Sequence, residues 1–75
     1  MKVGDIVEVH WKDSAVTPGW LRDLPDEGIA RCKTSGYLAR HDSKEIIVAL
    51  SRGEENWGQI LAIPRACILK VRKLR

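Results

Sequence analysis

Apolar and polar side chains alternate at the start of this chain, and no segment sustains the three-to-four-residue spacing of an amphipathic helix. Val7, Val9 and Trp11 share one face of an extended segment, and polar residues separate them. This period of two predicts a first strand over residues 5–12. Turn-forming residues interrupt the rest of the chain so often that only short strands fit between them. The sequence therefore predicts an all-β fold.

Glycine, proline and short polar clusters divide the chain into five predicted strands. Residues 13–27 contain two turn signals and are expected to form a long loop. A bend is expected at Gly36, because glycine inside a strand often marks one. Pro64 lacks the donor that a central strand needs, so a single tight helical turn is predicted over residues 64–67. The predicted strands are 5–12, 28–41, 45–52, 57–63 and 68–74.

This order of elements is typical of a five-stranded SH3-like barrel, with its long loop after the first strand and a short helical turn before the last strand. The 75 residues suffice for one domain, residues 1–75. Closing such a sheet into a barrel would remove the exposed edges that a small open sheet presents.

Two apolar runs, residues 46–50 and 60–63, do not alternate. A strand with one wet face should alternate, so continuous runs predict that both faces are covered. In so short a chain, the cover is either the long loop or another copy of the protein. We therefore expect a homo-oligomer, because an uncovered apolar patch usually marks an interaction surface.

The apolar run of residues 46–50 is the longest, far shorter than the roughly 20 residues that span a bilayer. Asp5 precedes any apolar run, so no signal peptide is expected. Only Cys32 and Cys67 could form a disulfide, whereas small secreted scaffolds carry more cysteines. These features predict a cytoplasmic protein with reduced thiols and no membrane partner. The two cysteines also lack close-spaced partners, so no zinc site and no cofactor are expected.

Catalytic motifs are sparse. His10 and His41 are the two side chains that ordinarily titrate near neutrality, and no nucleophile elbow, phosphate loop or dinucleotide fingerprint occurs. We therefore predict that the protein is not an enzyme. His41, Asp42 and Glu45 have ligand-type side chains, but a polar hairpin turn explains them better than a metal cluster does.

A set of core and turn residues extends over almost the whole chain: Val3–Asp5, Val7, Val9, Trp11, Gly36–Leu38, Ile46–Ser51, Trp57–Gly58, Ile63–Pro64 and Cys67–Ile68. With these residues the chain resembles small uncharacterised SH3-like barrel proteins of tailed phages and prophages. The resemblance implies a phage setting, and so the host cell cytoplasm, but no activity. Phage genomes encode small oligomeric proteins that capture nucleotide signals of bacterial immunity, and others that bind nucleic acid or block host proteins.

Three tryptophans and one tyrosine are the aromatic residues of the chain, which has no phenylalanine. The alternation assigns Trp11 to the core. Trp20 falls in the long loop and Trp57 follows a turn, and in SH3-like barrels these two regions can share a surface. The alternative for Trp20 is a buried position, in which its ring anchors the loop over the open end of the barrel.

Basic residues flank the hairpin between the second and third strands, and the net charge is +3. Arginine suits phosphate oxygens and a tryptophan face suits a base, so a basic-aromatic surface for an anionic ligand is predicted. The alternative for the basic residues is a solvated charged surface that binds nothing. The predicted ligand is a nucleic acid or a small nucleotide, and the competing function is a protein-interaction module that blocks or bridges a host or phage protein through an apolar face. The candidate ligand-binding residues are Trp20, Trp57, Arg40, Lys44, Arg52 and Arg65.

Overall fold

The described chain forms one five-stranded antiparallel sheet and contains one 3₁₀ turn. A computed structural model describes residues 1–14, 20, 22–23 and 28–75. The all-β prediction is confirmed, and the predicted long loop lies mostly outside the described residues. The elements are β1 (Ile6–Ser14), β2 (Ile29–His41), β3 (Glu45–Arg52), β4 (Trp57–Pro64), the 3₁₀ turn (Arg65–Cys67) and β5 (Ile68–Lys73).

The strand order in the sheet is β4-β3-β2-β1-β5, and every neighbouring pair is antiparallel. The first four strands follow one another as hairpins, and the 3₁₀ turn then carries the chain from one edge strand, β4, to the other, β5. These two edge strands do not pair with each other. The sheet is therefore open, and the predicted closure into an SH3-like barrel is not confirmed.

The core lies on one face of the sheet and receives side chains from both halves of it. Its buried cluster comprises Val7, Val9, Leu38, Ile46, Val48 and Ile63. Ile68 and Val71 of β5 pack against the same cluster that contains Ile63 of β4. The sheet therefore curls enough for both edge strands to contribute to a single core.

Trp11 continues the apolar face of β1 but is only half-buried. Its side chain packs against the core cluster, and its indole N–H donates a hydrogen bond to Thr34 Oγ1 at 2.9 Å. A buried indole usually finds such a partner, since an unpaired N–H is costly. The predicted core position is thus at the margin of the core rather than inside it.

The irregularity in β2 is not at Gly36, where the sequence predicted a bend. The register with β3 shifts between Leu38 and Arg40, so Ala39 is the extra residue of a β-bulge. Gly36 instead allows β2 and β3 to lie close together. A Cβ at this position would lie 2.5 Å from the carbonyl oxygen of Ala49, so only glycine lets β3 approach this closely.

The turn between β2 and β3 is held by the carboxylate of Asp42. The backbone N–H groups of Lys44 and Glu45 donate to Asp42 Oδ1 at 2.8 and 2.9 Å. These two hydrogen bonds hold the pKa of Asp42 below its usual value, because they stabilise the charged form. The geometry favours the interpretation of residues 41–45 as a polar turn.

Pro64 ends β4, which is an edge strand and so tolerates a residue without an N–H. The predicted helical turn follows it, over Arg65–Cys67. Within the described ranges, no helix is long and apolar enough to cross a membrane.

Candidate ligand-binding groove

A groove of about 420 Å³ lies where β2, β3 and β4 run side by side. Its volume is within the range of about 300–1,000 Å³ that is typical of small-molecule sites. The walls combine three apolar side chains, one tryptophan and three polar side chains: Ala39, Ile47, Ile60, Trp57, Arg40, Asn56 and Gln59. Two of the six predicted ligand-binding residues, Arg40 and Trp57, are therefore brought together in one concave surface.

The bulge in β2 sets the position of Arg40. After the register shift, Arg40 pairs with Ile47 of β3, whose side chain also lines the groove. Bulges are frequent next to binding sites because they change the direction of a side chain. Here the extra residue, Ala39, lines the groove beside Arg40.

Trp57 is held in place by Arg52, its cross-strand partner in the β3–β4 hairpin. The guanidinium carbon of Arg52 lies 4.8 Å from the centroid of the Trp57 ring, which is a cation–π contact. Nη1 of Arg52 is also 2.5 Å from the point that a Cβ at Gly4 would occupy. Arg52 therefore fills the space between the Trp57 ring and Gly4. Trp57 lines the groove, whereas Arg52 does not.

Two amide side chains, Asn56 and Gln59, complete the wall next to Trp57. Side-chain amides both donate and accept hydrogen bonds, as base recognition requires. Gln59 has a left-handed backbone conformation with φ at 51°, which is uncommon for a residue other than glycine and costs free energy. Neither residue was predicted from the sequence. The signal for Asn56 was its place in the turn directly before Trp57, whereas no sequence signal marked Gln59.

Carboxylates lie close to the groove and reduce its positive potential. Oε1 of Glu45 is 3.7 Å from Nη1 of Arg40, and both side chains are substantially exposed. Ion pairs of this kind contribute little to stability, so Glu45 competes only weakly with an anionic ligand for Arg40. Glu54 and Glu55 are exposed in the turn that precedes Trp57.

Lys44 and Arg65 lie together but away from Trp57. The N–H of Arg65 donates to the Lys44 carbonyl at 2.8 Å, and Nε of Arg65 donates to the Asp42 carbonyl at 2.8 Å. Both contacts are at the start of β3, whereas Arg52 and Trp57 are at its far end. An eight-residue strand is about 23 Å long, so Lys44 and Arg65 lie well apart from Arg52, and Arg40, which is opposite Ile47, lies between them along β3.

Trp20 is not among the described residues that line the groove. Its side chain is fully exposed, at 103% of the reference area, so it packs against none of the other described residues. This exposure contradicts the alternative in which Trp20 is buried as an anchor of the loop. It also means that the Trp20 ring does not contact the Trp57 ring, and that the two share one ligand surface stays a prediction.

A separate polar cluster lies on the face of β1 opposite to the core. His10 Nε2 is 2.6 Å from Glu8 Oε1, and Arg72 Nη1 of β5 is 4.0 Å from the same oxygen. The hydrogen bond from His10 lowers the pKa of Glu8, and the charge of Arg72 adds to this effect. These groups satisfy one another and lie outside the groove.

In comparisons with protein-family models, curated proteins and solved structures, nothing matches this chain.

Proposed function

We propose that this protein is a small binding module that captures an anionic ligand carrying a base, either a free nucleotide or single-stranded nucleic acid, in the groove beside Trp57. The observation that carries the proposal is that Trp57 and Arg40 line one groove with an apolar floor. A tryptophan face stacks on any base, and an arginine fork binds phosphate oxygens at short range. In the phage setting that the sequence resemblance implies, the host cytoplasm supplies both kinds of ligand.

The roles of the residues follow from their places. Trp57 stacks on the base, and Arg40 binds the phosphate. Asn56 and Gln59 reach the polar edge of the base from the wall of the groove. Arg52 acts as a positioning residue, since it holds the Trp57 ring from the side that the groove does not use. The proposal includes no catalytic step.

The positions of Lys44 and Arg65 determine how long a ligand must be to contact them as well as Trp57. They lie near the start of β3, at the opposite end of that strand from Trp57, and neither lines the groove. A free nucleotide would therefore use Trp57 and Arg40 alone. A single strand of several nucleotides would also place phosphates near Lys44 and Arg65.

The test is a calorimetric titration of the protein with nucleoside monophosphates, cyclic dinucleotides and a short single-stranded oligonucleotide, each at low and high salt. We expect affinity for at least one of these ligands to fall as salt rises, because phosphate binding releases counterions. Arg40→Ala should abolish most of this salt dependence for a free nucleotide. If all three ligand classes fail to bind at low salt, the proposal is wrong.

The same titration, repeated with one further variant, distinguishes a free nucleotide from a single-stranded nucleic acid as the ligand. Lys44→Ala should leave the affinity for a free nucleotide unchanged, because this residue lies outside the groove. It should weaken the affinity for an oligonucleotide that extends along β3. A ligand that is insensitive to both Arg40→Ala and Lys44→Ala does not bind at this surface.

The second candidate function is a protein-interaction module, and exposed apolar side chains on the β3–β4 hairpin favour it. Leu50 and Ile60 are 63% and 60% exposed, and Leu61 is 39% exposed. Binding of this type would depend on apolar contact and change little with salt. Salt-insensitive binding to one host or phage protein, lost on Leu50→Lys but kept in Arg40→Ala, would replace the nucleotide proposal with this one.

A further inference from the structure

The two edges of the sheet differ in how they are protected against pairing. The strand β5 contains Lys70, Arg72 and Lys73, and β4 contains no charged residue among its eight. Charged side chains, lysine above all, are a common protection of edge strands in proteins. By this criterion β5 is protected and β4 is not.

The unprotected edge, β4, is also apolar and exposed. It pairs with β3 on one side, and no other described segment pairs with its second side. Ile60, in the middle of the strand, is 60% exposed, and the adjacent Leu61 is 39% exposed. A strand with free backbone groups and exposed apolar side chains is a template for another strand.

We propose that two copies of this chain associate through antiparallel pairing of their β4 edges, which joins the two sheets into one of ten strands. A second copy is the occupant that fits this edge, because its own β4 is equally uncharged and apolar. In such a pair the two-fold axis is perpendicular to the sheet, so each residue stays on its own face. Directly opposite residues must therefore be an even number of positions apart in the sequence. The axis then lies midway between the two copies of one residue, which are opposite each other.

Charge selects the register centred on Ile60. Glu55 lies in the turn just before β4 and Arg65 directly after its end, five residues on either side of Ile60, so this register brings the glutamate of one copy near the arginine of the other at each end of the paired strands. Both residues are exposed. The register between β3 and β4 is the same on either side of Gln59, so its left-handed φ inserts no extra residue within β4. Parallel pairing would instead bring like charges together at each end, which is unfavourable.

The test is the molar mass in solution, measured by light scattering over a range of protein concentrations. The wild-type protein should form a dimer, and Ile60→Lys should be monomeric, because two lysines would then face each other at the axis. The matched control is Leu69→Lys on β5, since Leu69 is 51% exposed and lies on the other edge. This control should keep the dimer. Circular dichroism verifies that both variants retain the sheet.

A charge exchange tests the register itself. Glu55→Arg and Arg65→Glu should each weaken the dimer several-fold, because each places like charges opposite one another. The double variant with both changes should recover the wild-type association. The measurement does not involve the proposed nucleotide ligand, so its outcome is independent of that function. A monomeric wild-type protein at all concentrations, dissociation by Leu69→Lys rather than Ile60→Lys, or failure of the double variant to recover would each overturn the proposal.

Discussion

The guanidinium of Arg52 lies over the ring of Trp57, with 4.8 Å between its central carbon and the ring centroid. Because Arg52 also fills the space above Gly4, it holds the ring at the wall of the groove. We expect Arg52→Ala to weaken ligand binding less than loss of Trp57 does, and Arg52→Lys to recover part of the loss, since lysine also makes cation–π contacts. Calorimetric affinities of both variants check this. Equal loss in Arg52→Ala and Arg52→Lys would mean that Arg52 does not act through the ring.

Glu45 lies 3.7 Å from Arg40 and competes with an anionic ligand. We expect Glu45→Gln to raise the affinity for a nucleotide by about twofold, since an exposed ion pair of this type is worth at most about 1 kcal/mol. The gain should disappear in the Arg40→Ala background. A gain that persists there would show that Glu45 acts through the general potential and not through Arg40.

Gly36 and Gly28 offer a matched pair of glycine substitutions in and next to β2. A Cβ at Gly36 would meet the Ala49 carbonyl at 2.5 Å and Val48 Cγ1 at 2.8 Å, whereas a Cβ at Gly28 would meet nothing within 4 Å. We expect Gly36→Ala to lower the free energy of unfolding by about 1–3 kcal/mol, as overpacking does. Gly28→Ala should change it by less than about 0.5 kcal/mol. Urea unfolding measures both, and similar values would contradict the close approach of β3 to β2.

Acid should destabilise the protein through Asp5, Glu8 and Asp42. Their hydrogen bonds, from the Lys2 N–H, the His10 ring and the N–H groups of the β2–β3 turn respectively, lower their pKa values in the folded state. A lowered pKa stabilises the folded state above the ordinary values of 3.8 for aspartate and 4.5 for glutamate, and that stability is lost as the pH falls through the folded values.

Thermal melts between neutral and strongly acidic pH test this dependence. The wild-type melting temperature should fall once the pH is below about 4.5. Asp42→Asn should melt at a lower temperature at neutral pH and lose less on acidification, because its side chain cannot be protonated in this range. Parallel curves for the two proteins would contradict the role assigned to the Asp42 carboxylate.

The turn chemistry predicted most strand boundaries, because glycine, proline and asparagine act locally. Pro64 and the turn over residues 53–56 located β4 to within one residue. The bulge at Ala39 was missed, since it depends on how β3 packs against β2 and not on local preference. Barrel closure was expected from strand order alone, but order does not decide whether two edges come within hydrogen-bonding distance.

The candidate site was predictable only where residues are close in sequence. A four-residue turn places Arg52 directly opposite Trp57, so their contact could have been inferred. The approach of Arg40 to Trp57 crosses three strands and depends on the bulge. Trp20 was assigned to the site by residue type, and its ring is fully exposed in the structure.

Stability should distinguish the half-buried tryptophan from the exposed one. Trp11 packs against the core and donates a hydrogen bond to Thr34, so Trp11→Ala should cost about 3 kcal/mol or more. Trp20→Ala removes a side chain without contacts and should change the free energy of unfolding by less than about 0.5 kcal/mol. Chemical unfolding of both variants checks this. A large loss of stability in Trp20→Ala would mean that its ring is packed in solution.

The affinity of Trp57→Ala for a base-containing anionic ligand, measured beside Trp20→Ala, tests the proposed function most directly. Both variants remove an indole from the surface, but only Trp57 lines the groove. Stacking is worth about 1–3 kcal/mol per base, so Trp57→Ala should weaken binding by about fivefold to more than a hundredfold. Trp20→Ala should bind like the wild type. Full affinity in a folded Trp57→Ala, or an equal loss in both variants, would contradict the groove as the ligand site.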